Sequence, residues 1–265
     1  WKILNIDEKS LQINVEPISG QKNRVPYWEG ENIPVDYDTA QKVGLFRNLV
    51  KHGSLLMHNK IISELDFNII PDEKTIVIES IRTDRNVVIH ACFGTKINST
   101  LATILASLLE SVLGHIVESR SDAYRIVLES NARINKKIIV ETLSDNFVLN
   151  DIVSTSLIRT HNLNWRTWCV AKKFGIVGRG AIYDRKTGHF MHEKYQNTSV
   201  VREALRELFH DKFDLIGTEI ILNRIRSNEI QIEWIDVNKF SKLAEPLLDH
   251  TTKYYSSPAN VDKAI

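Results

Sequence analysis

Residues 75–113 read TIVIESIRTDRNVVIHACFGTKINSTLATILASLLESVL, and this stretch decides the fold. Its first half, TIVIESI (75–81) and NVVIHACF (86–93), is dense in β-branched residues. Such side chains fit a pleated, buried surface, and the polar TDRN between the two runs reads as a turn. The second half changes period. Ile97, Leu101, Ile104, Leu105, Leu108, Leu109 and Val112 recur three or four residues apart. They predict one helix whose apolar stripe is broad enough to lie on a sheet, with Gly114 as its stop.

Working outward, WKILNI (1–6) and LQINVEPI (11–18) alternate on either side of a turn and predict a hairpin, of the kind that belongs to a small barrel. The loop QKNRVPYWEGENIPV (21–35) follows, ordered but irregular because of its prolines and glycine. A helix is expected from near Asp38, with Ala40, Val43, Phe46 and Val50 at helical spacing, and a short second helix over 59–65. Downstream, YRIVLES (124–130) reads as a strand and KIIVETL (137–143) as either strand or helix. From Asn146 the chain turns helical: NWRTWCVAKKF, SVVREALRELFH (capped by Ser199) and DLIGTEIILNRIRS are amphipathic, and EIQIEWIDV closes as a strand. The polar tail from His250 is expected to be loosely held. The expected fold class is α+β. A small β-barrel or curved, mostly antiparallel sheet packed with helices occupies 1–145, and a mainly helical region occupies 146–265.

Composition narrows the function. The 265 residues are 43% hydrophobic and 25% charged, ordinary values for a folded chain, and the formal net charge of +1 excludes a polybasic DNA binder. Any nucleic-acid role must come from a local groove or from stacking. Cys92 and Cys169 lack metal or redox spacing and read as buried thiols of a reducing compartment. No run reaches the ~18 apolar residues of a membrane span, and no leader is visible; a cytoplasmic location is expected, with the sequons at Asn98 and Asn197 idle. A chain opening on Trp1 instead of Met is expected to be a fragment of a longer polypeptide.

Catalytic patterns fail one by one. A phosphate-cradling loop needs GxxxxGK[ST]; Gly175 to Gly180 is followed by Ala181, so the Lys and hydroxyl are missing and a turn is expected after Phe174. There is no acidic Mg²⁺-binding box. His189, His192 and Glu193 stand in the order HxxHE, which is not a zinc-protease order, and Thr187 and Gly188 suggest a turn there. His90 and Cys92 are two apart in a strand, without a base and orienting acid between them. No catalytic residue, cofactor site or metal site is expected in this chain.

The loop at Trp28 is different. Tyr27 and Trp28 stand among prolines and glycine, preceded by Lys22 and Arg24. A Trp face can stack a nucleobase, contributing ~1–3 kcal/mol per base with little sequence preference, while flanking cations hold phosphates. Composition alone favours the alternative that Trp28 plugs the end of a barrel. Trp165, Trp168 and Trp234 read as structural, the last packing inward from its strand.

VPYWEGENIPV followed by VGLFRNL resembles the start of the domain after the winged helix in Lhr-type (Large helicase-related) superfamily 2 helicases. NVVIHACFGTKIN with its long apolar helix is similar to the most distinctive stretch of that domain, the DEAD/H-associated one. SDAYRIVL, AKKFGIV and FDLIGTEIILNRIRSNEIQIEWIDV follow in the family's order, so the likeness covers the chain to about His250. It departs at NKFSKL (238–243), where the family usually has something like EPSPF. The resemblance implies an accessory, non-motor domain of an ATP-dependent 3′-to-5′ DNA helicase. Its partners would be single-stranded DNA or a DNA/RNA hybrid and upstream RecA-like and winged-helix modules, with ATP and Mg²⁺ in the parent motor. It also turns the reading of Trp28 toward base stacking, through the match at Trp28, Gly30 and Glu31. Arg24, Lys96 and His90 join it as contact candidates because they flank or lie in the distinctive motifs. A protein-interaction or scaffold module docking the motor or a partner is the competing reading.

Overall fold

The computed structural model describes residues 2–7, 10, 12–17, 33–52, 70–81, 85–145, 148–157, 161–178 and 180–248. The first hairpin forms as expected: β1 (Lys2–Asp7) and β2 (Gln12–Glu16) pair antiparallel. The main sheet is separate. It comprises β3 (Thr75–Ile81), β4 (Asn86–His90), β5 (Val117–Ser121), β6 (Arg125–Ser130) and β7 (Gln231–Val237), in the order β5-β6-β4-β3-β7. Three of its pairings are antiparallel and β3–β7 is parallel, so the sheet is open and mixed. Among the described residues no strand joins the hairpin to this sheet, and a closed barrel is not formed there.

Both faces of the sheet are covered, which is why TIVIES is buried without interruption from Ile76 to Ser80. Register assigns the faces. Ile76 and Ile78 share one with Val87, Ile89, Ile126 and Leu128; Val77 and Glu79 share the other with Val88, His90 and Val127. The first face is closed by the long helix Thr95–Leu113, which follows α1 (Tyr37–Lys51) and is here called α2. Ile97, Leu101, Ile104, Leu105 and Leu109 are buried against the sheet, each contributing about 1.5–3 kcal/mol relative to exposure. The expected stripe runs too far at its end: Val112 is 62% exposed. Gly114 stops the helix in the left-handed region at φ 66.

The second face lies under a C-terminal strap. Phe240, Ala244, Leu247 and Leu248, the last two in the short helix α9 (Glu245–Leu248), pack on Val88 and Val127. Between β6 and β7 in the chain come α3 (Lys136–Ser144), α4 (Leu149–Leu157), α5 (His161–Lys173), α6 (Arg185–Tyr195), α7 (Ser199–Lys212) and α8 (Leu215–Arg226). KIIVETL is therefore helical: Asn135 caps it, and Ile139 and Leu143, four apart, face the core. Helix α6 replaces the turn expected at Thr187 and Gly188; Gly188 is there for packing, since a Cβ would lie 2.5 Å from the Tyr183 ring. The cap of α7 is Thr198, one residue before Ser199.

Helices α5, α6 and α7 enclose a second cluster around Leu163, Trp168, Val170, Met191 and Leu208. Trp165 stacks on Trp168 at 5.4 Å, in keeping with the structural reading of that pair. Helices α4 and α8 instead bury Val153, Leu157, Ile221 and Leu222 in the sheet's own core. The change to helical content near residue 146 is thus not a change of core.

Candidate nucleic-acid interface

The segment IHACFGTKIN passes from β4 into α2 through four buried residues, Ala91 to Gly94. The Ala91 N–H donates to Tyr124 O at 2.9 Å and the Gly94 N–H to Ala123 O at 3.0 Å. Gly94 takes φ +86, and a Cβ there would stand 2.8 Å from Val35 O, so the position requires glycine. Asn98, fully buried one turn into α2, donates through Nδ2 to both Ala91 O and Asp122 O at 2.9 Å.

This motif holds the segment that leads into α1. Thr95 and Val35 bond reciprocally: the Thr95 N–H donates to Val35 O at 2.9 Å, and the Val35 N–H to Thr95 Oγ1 at 3.0 Å. Asp36 then caps α1, accepting from the Thr39 N–H at 2.8 Å and the Thr39 hydroxyl at 2.9 Å. Those hydrogen bonds hold its carboxyl below the usual range. Helix α1 crosses the same motif. Gln41 Nε2 donates to Cys92 O at 2.7 Å, and Arg47 Nη1 to Cys92 Sγ at 3.3 Å, its guanidinium lying 5.6 Å from the Tyr124 ring centroid. Polar residues thus seat α1 together with buried Ala40 and Val50, whereas Phe46, expected inward, is 50% exposed. Burial pushes the Cys92 thiol up despite Arg47, away from the thiolate a nucleophile requires.

The four residues marked by the sequence fall differently. Trp28 and Arg24 lie outside the described residues. Lys96, at the start of α2, is half-buried and donates to His210 O at 2.7 Å, near the end of α7. His90 is 1% exposed and faces the strap. Its Nε2 lies 2.6 Å from Glu79 Oε1; Glu79 also accepts from the Ser241 hydroxyl at 2.5 Å and the Ser241 N–H at 2.9 Å. Burial opposes ionisation of Glu79, but the His90 and Ser241 bonds outweigh it and leave the carboxyl below its usual range. Arg125 fastens the strap again, donating to Leu243 O at 2.5 Å. His90 thus holds structure beneath the motif and presents no ring to solvent. Val35, Thr95 and Asn98, which sequence reading passed over, do the anchoring; a buried Asn one turn into an apolar helix was the signal available.

Around His189, Glu193 lies 3.3 Å away on the surface of α6, whereas His192 turns inward and burial lowers its pKa. Among the described residues no three His, Cys, Asp or Glu side chains gather as a metal site, and no helix is long and apolar enough to cross a membrane.

The described residues form a mixed sheet closed by one long helix, with the segment before α1 bonded to the strand–helix junction. The DEAD/H associated family matches residues 70–244, and the chain belongs to that family. It is similar to the ATP-dependent helicase Lhr-Core of Saccharolobus solfataricus, 23% identical over 271 residues covering 86% of this chain and 31% of that protein. The Lhr helicase/uracil glycosylase of Escherichia coli K12 is 20% identical, over 94% of this chain and 18% of its own length. The chain therefore spans about a third or less of the curated relatives it matches. The same fold occurs in the Mycobacterium smegmatis helicase Lhr solved with ssDNA and AMP-PNP, with a TM-score of 0.65 and 17% identity over 87% of this chain and 34% of that one.

Proposed function

We propose that this chain is the accessory, strand-holding module of an Lhr-like ATP-dependent 3′-to-5′ DNA helicase acting in the cytoplasm in DNA repair. The observation that carries the reading is the pair of bonds between Val35 and Thr95. Val35 is bonded in both directions to Thr95, next to the buried run Ala91–Gly94, and stands seven residues after Trp28 in the sequence. A fixed point so close in sequence suits an aromatic that grips one base while a motor resets. In this reading Trp28 stacks a base of the tracking strand, and Arg24 and Lys96 neutralise neighbouring phosphates. Lys96 reaches them by leaving a surface carbonyl. His90 contributes from beneath, by fixing β4 through Glu79. ATP and Mg²⁺ belong to RecA-like modules of the parent, which with a winged helix are the module's protein partners; a DNA/RNA hybrid is a second substrate.

Anisotropy of fluorescein-labelled oligo(dT) tests the proposal on the 265-residue chain. Trp28→Ala should weaken binding by about five- to a hundredfold, the loss of one stacked base. Binding equal to that of the parent chain would sink the stacking role. Measurable ATP hydrolysis by pure material would sink the assignment of the motor elsewhere.

A further inference from the structure

We infer that the cleft between β7 and the start of α3 is a second base-binding site for the same single strand, with Trp234 as its platform. The inference rests on the strand-holding reading above.

The cleft encloses about 450 Å³ and is lined by Ser80, Arg133, Asn135, Lys136, Trp234 and Asp236, with two isoleucines. That volume lies in the range of small-ligand pockets. Trp234 does not simply pack inward, as its strand position suggests. It lies against the core beside Ile78, yet stays partly exposed and lines the cleft. Its ring orientation is set by its indole N–H, which donates to Ser80 Oγ at 2.9 Å and Asp236 Oδ1 at 3.2 Å. Ser80 Oγ in turn donates to Asp236 Oδ1 at 3.0 Å. A ring fixed in this way stacks a partner without first losing rotamer freedom.

The charges say what kind of partner. Lys136 Nζ stands 5.7 Å from the Trp234 ring centroid, and both Lys136 and Arg133 are exposed. A carboxylate, Asp236, lies inside. A bare phosphate or sulfate would meet that carboxylate, so a small anion does not suit the interior. A nucleobase does: it is uncharged, has π faces for Trp234, and leaves its phosphates outside near Arg133 and Lys136. An aromatic platform with cations beside it is the arrangement by which single strands are held without sequence preference. The mostly polar lining argues against an apolar protein anchor.

Oligo(dT) carrying one 5-iododeoxyuridine tests this by photo-cross-linking and affinity together. A cross-link in the peptide containing residues 231–237 is expected. Trp234→Leu should weaken binding at least about fivefold, while Trp234→Phe keeps most of it. The surface double variant Arg133→Ala/Lys136→Ala should flatten the log–log salt dependence by about 1.4, two single-strand phosphate contacts. Should Trp234→Leu fail to fold, the double variant and the cross-link decide. If the chain binds, Trp28→Ala weakens it, and the cleft variants bind like the parent with cross-links elsewhere, the cleft is excluded and the Trp28 reading stands. If the cleft variants lose binding and Trp28→Ala does not, the cleft stands and the Trp28 role falls. No binding of oligo(dT) at low salt overturns both.

Discussion

Glu79 is the residue whose environment is hardest to reconcile with its chemistry. It is fully buried in the middle of a β-strand, and it persists there because His90, the Ser241 hydroxyl and the Ser241 N–H satisfy its oxygens. Removing it strands three polar groups at once. Glu79→Ala should therefore cost ~3–5 kcal/mol, read as a fall in the urea midpoint at neutral pH. The pH dependence has a definite sign. The folded carboxyl titrates below its unfolded value, so its contribution is complete above the ordinary carboxylate pKa and is lost as pH falls through the folded one. Between pH 7 and pH 3 the parent chain should lose more stability than Glu79→Gln; equal losses would show that Glu79 is not ionised in the fold. Sequence could not reveal this knot. Nothing in TIVIESI marks its Glu as paired, and its partner Ser241 lies 162 residues away, in the segment NKFSKL where the family likeness gives out.

At the scale of elements, the junction between β4 and α2 fixes two things: the crossing of α1 and the place of Val35, just before it. Gly94 is its narrowest point. Gly94→Ala would strain a positive φ and push a methyl into Val35 O, costing ~1–3 kcal/mol. The damage should centre on the Val35–Thr95 bonds, so amide exchange should quicken at Val35 and Thr95 while Leu105 and Leu109 in the far turns of α2 stay protected. Uniform loss of protection would mean that the junction supports the whole core and not the segment before α1 in particular. The elements that meet here were legible because their periods differ: β-branched runs for β3 and β4, then a helical stripe. Strand β5 was missed because VESRS, at a sheet edge, is polar in all but Val117. The anchoring itself was illegible, since it runs through backbone groups of Val35 and a Thr95 hydroxyl 60 residues on.

Across the whole molecule, the chain closes on itself twice after its helices. Strand β7 returns to pair in parallel with β3, residue for residue from Thr75 and Gln231 to Ile81 and Val237. The strap 240–248 then covers the face that β3, β4 and β6 leave opposite α2. Parallel pairing at such separation is entropically costly to establish. The strap is the last piece, and a chain ending at Val237 isolates its contribution. That truncation keeps all five strands but uncovers Val88 and Val127, takes both Ser241 donors from Glu79, and removes the carbonyl that Arg125 holds. Two lost bonds to a buried carboxylate alone amount to about 3 kcal/mol, before any apolar area is counted. The truncated chain should unfold at clearly lower urea and bind an apolar dye such as ANS near neutral pH, with far-ultraviolet circular dichroism little changed. An unchanged urea midpoint would mean that the strap lies on the sheet without stabilising it. Glu79 would then have to find its partners in water, and His90 would no longer be shielded from the strand the module is proposed to hold.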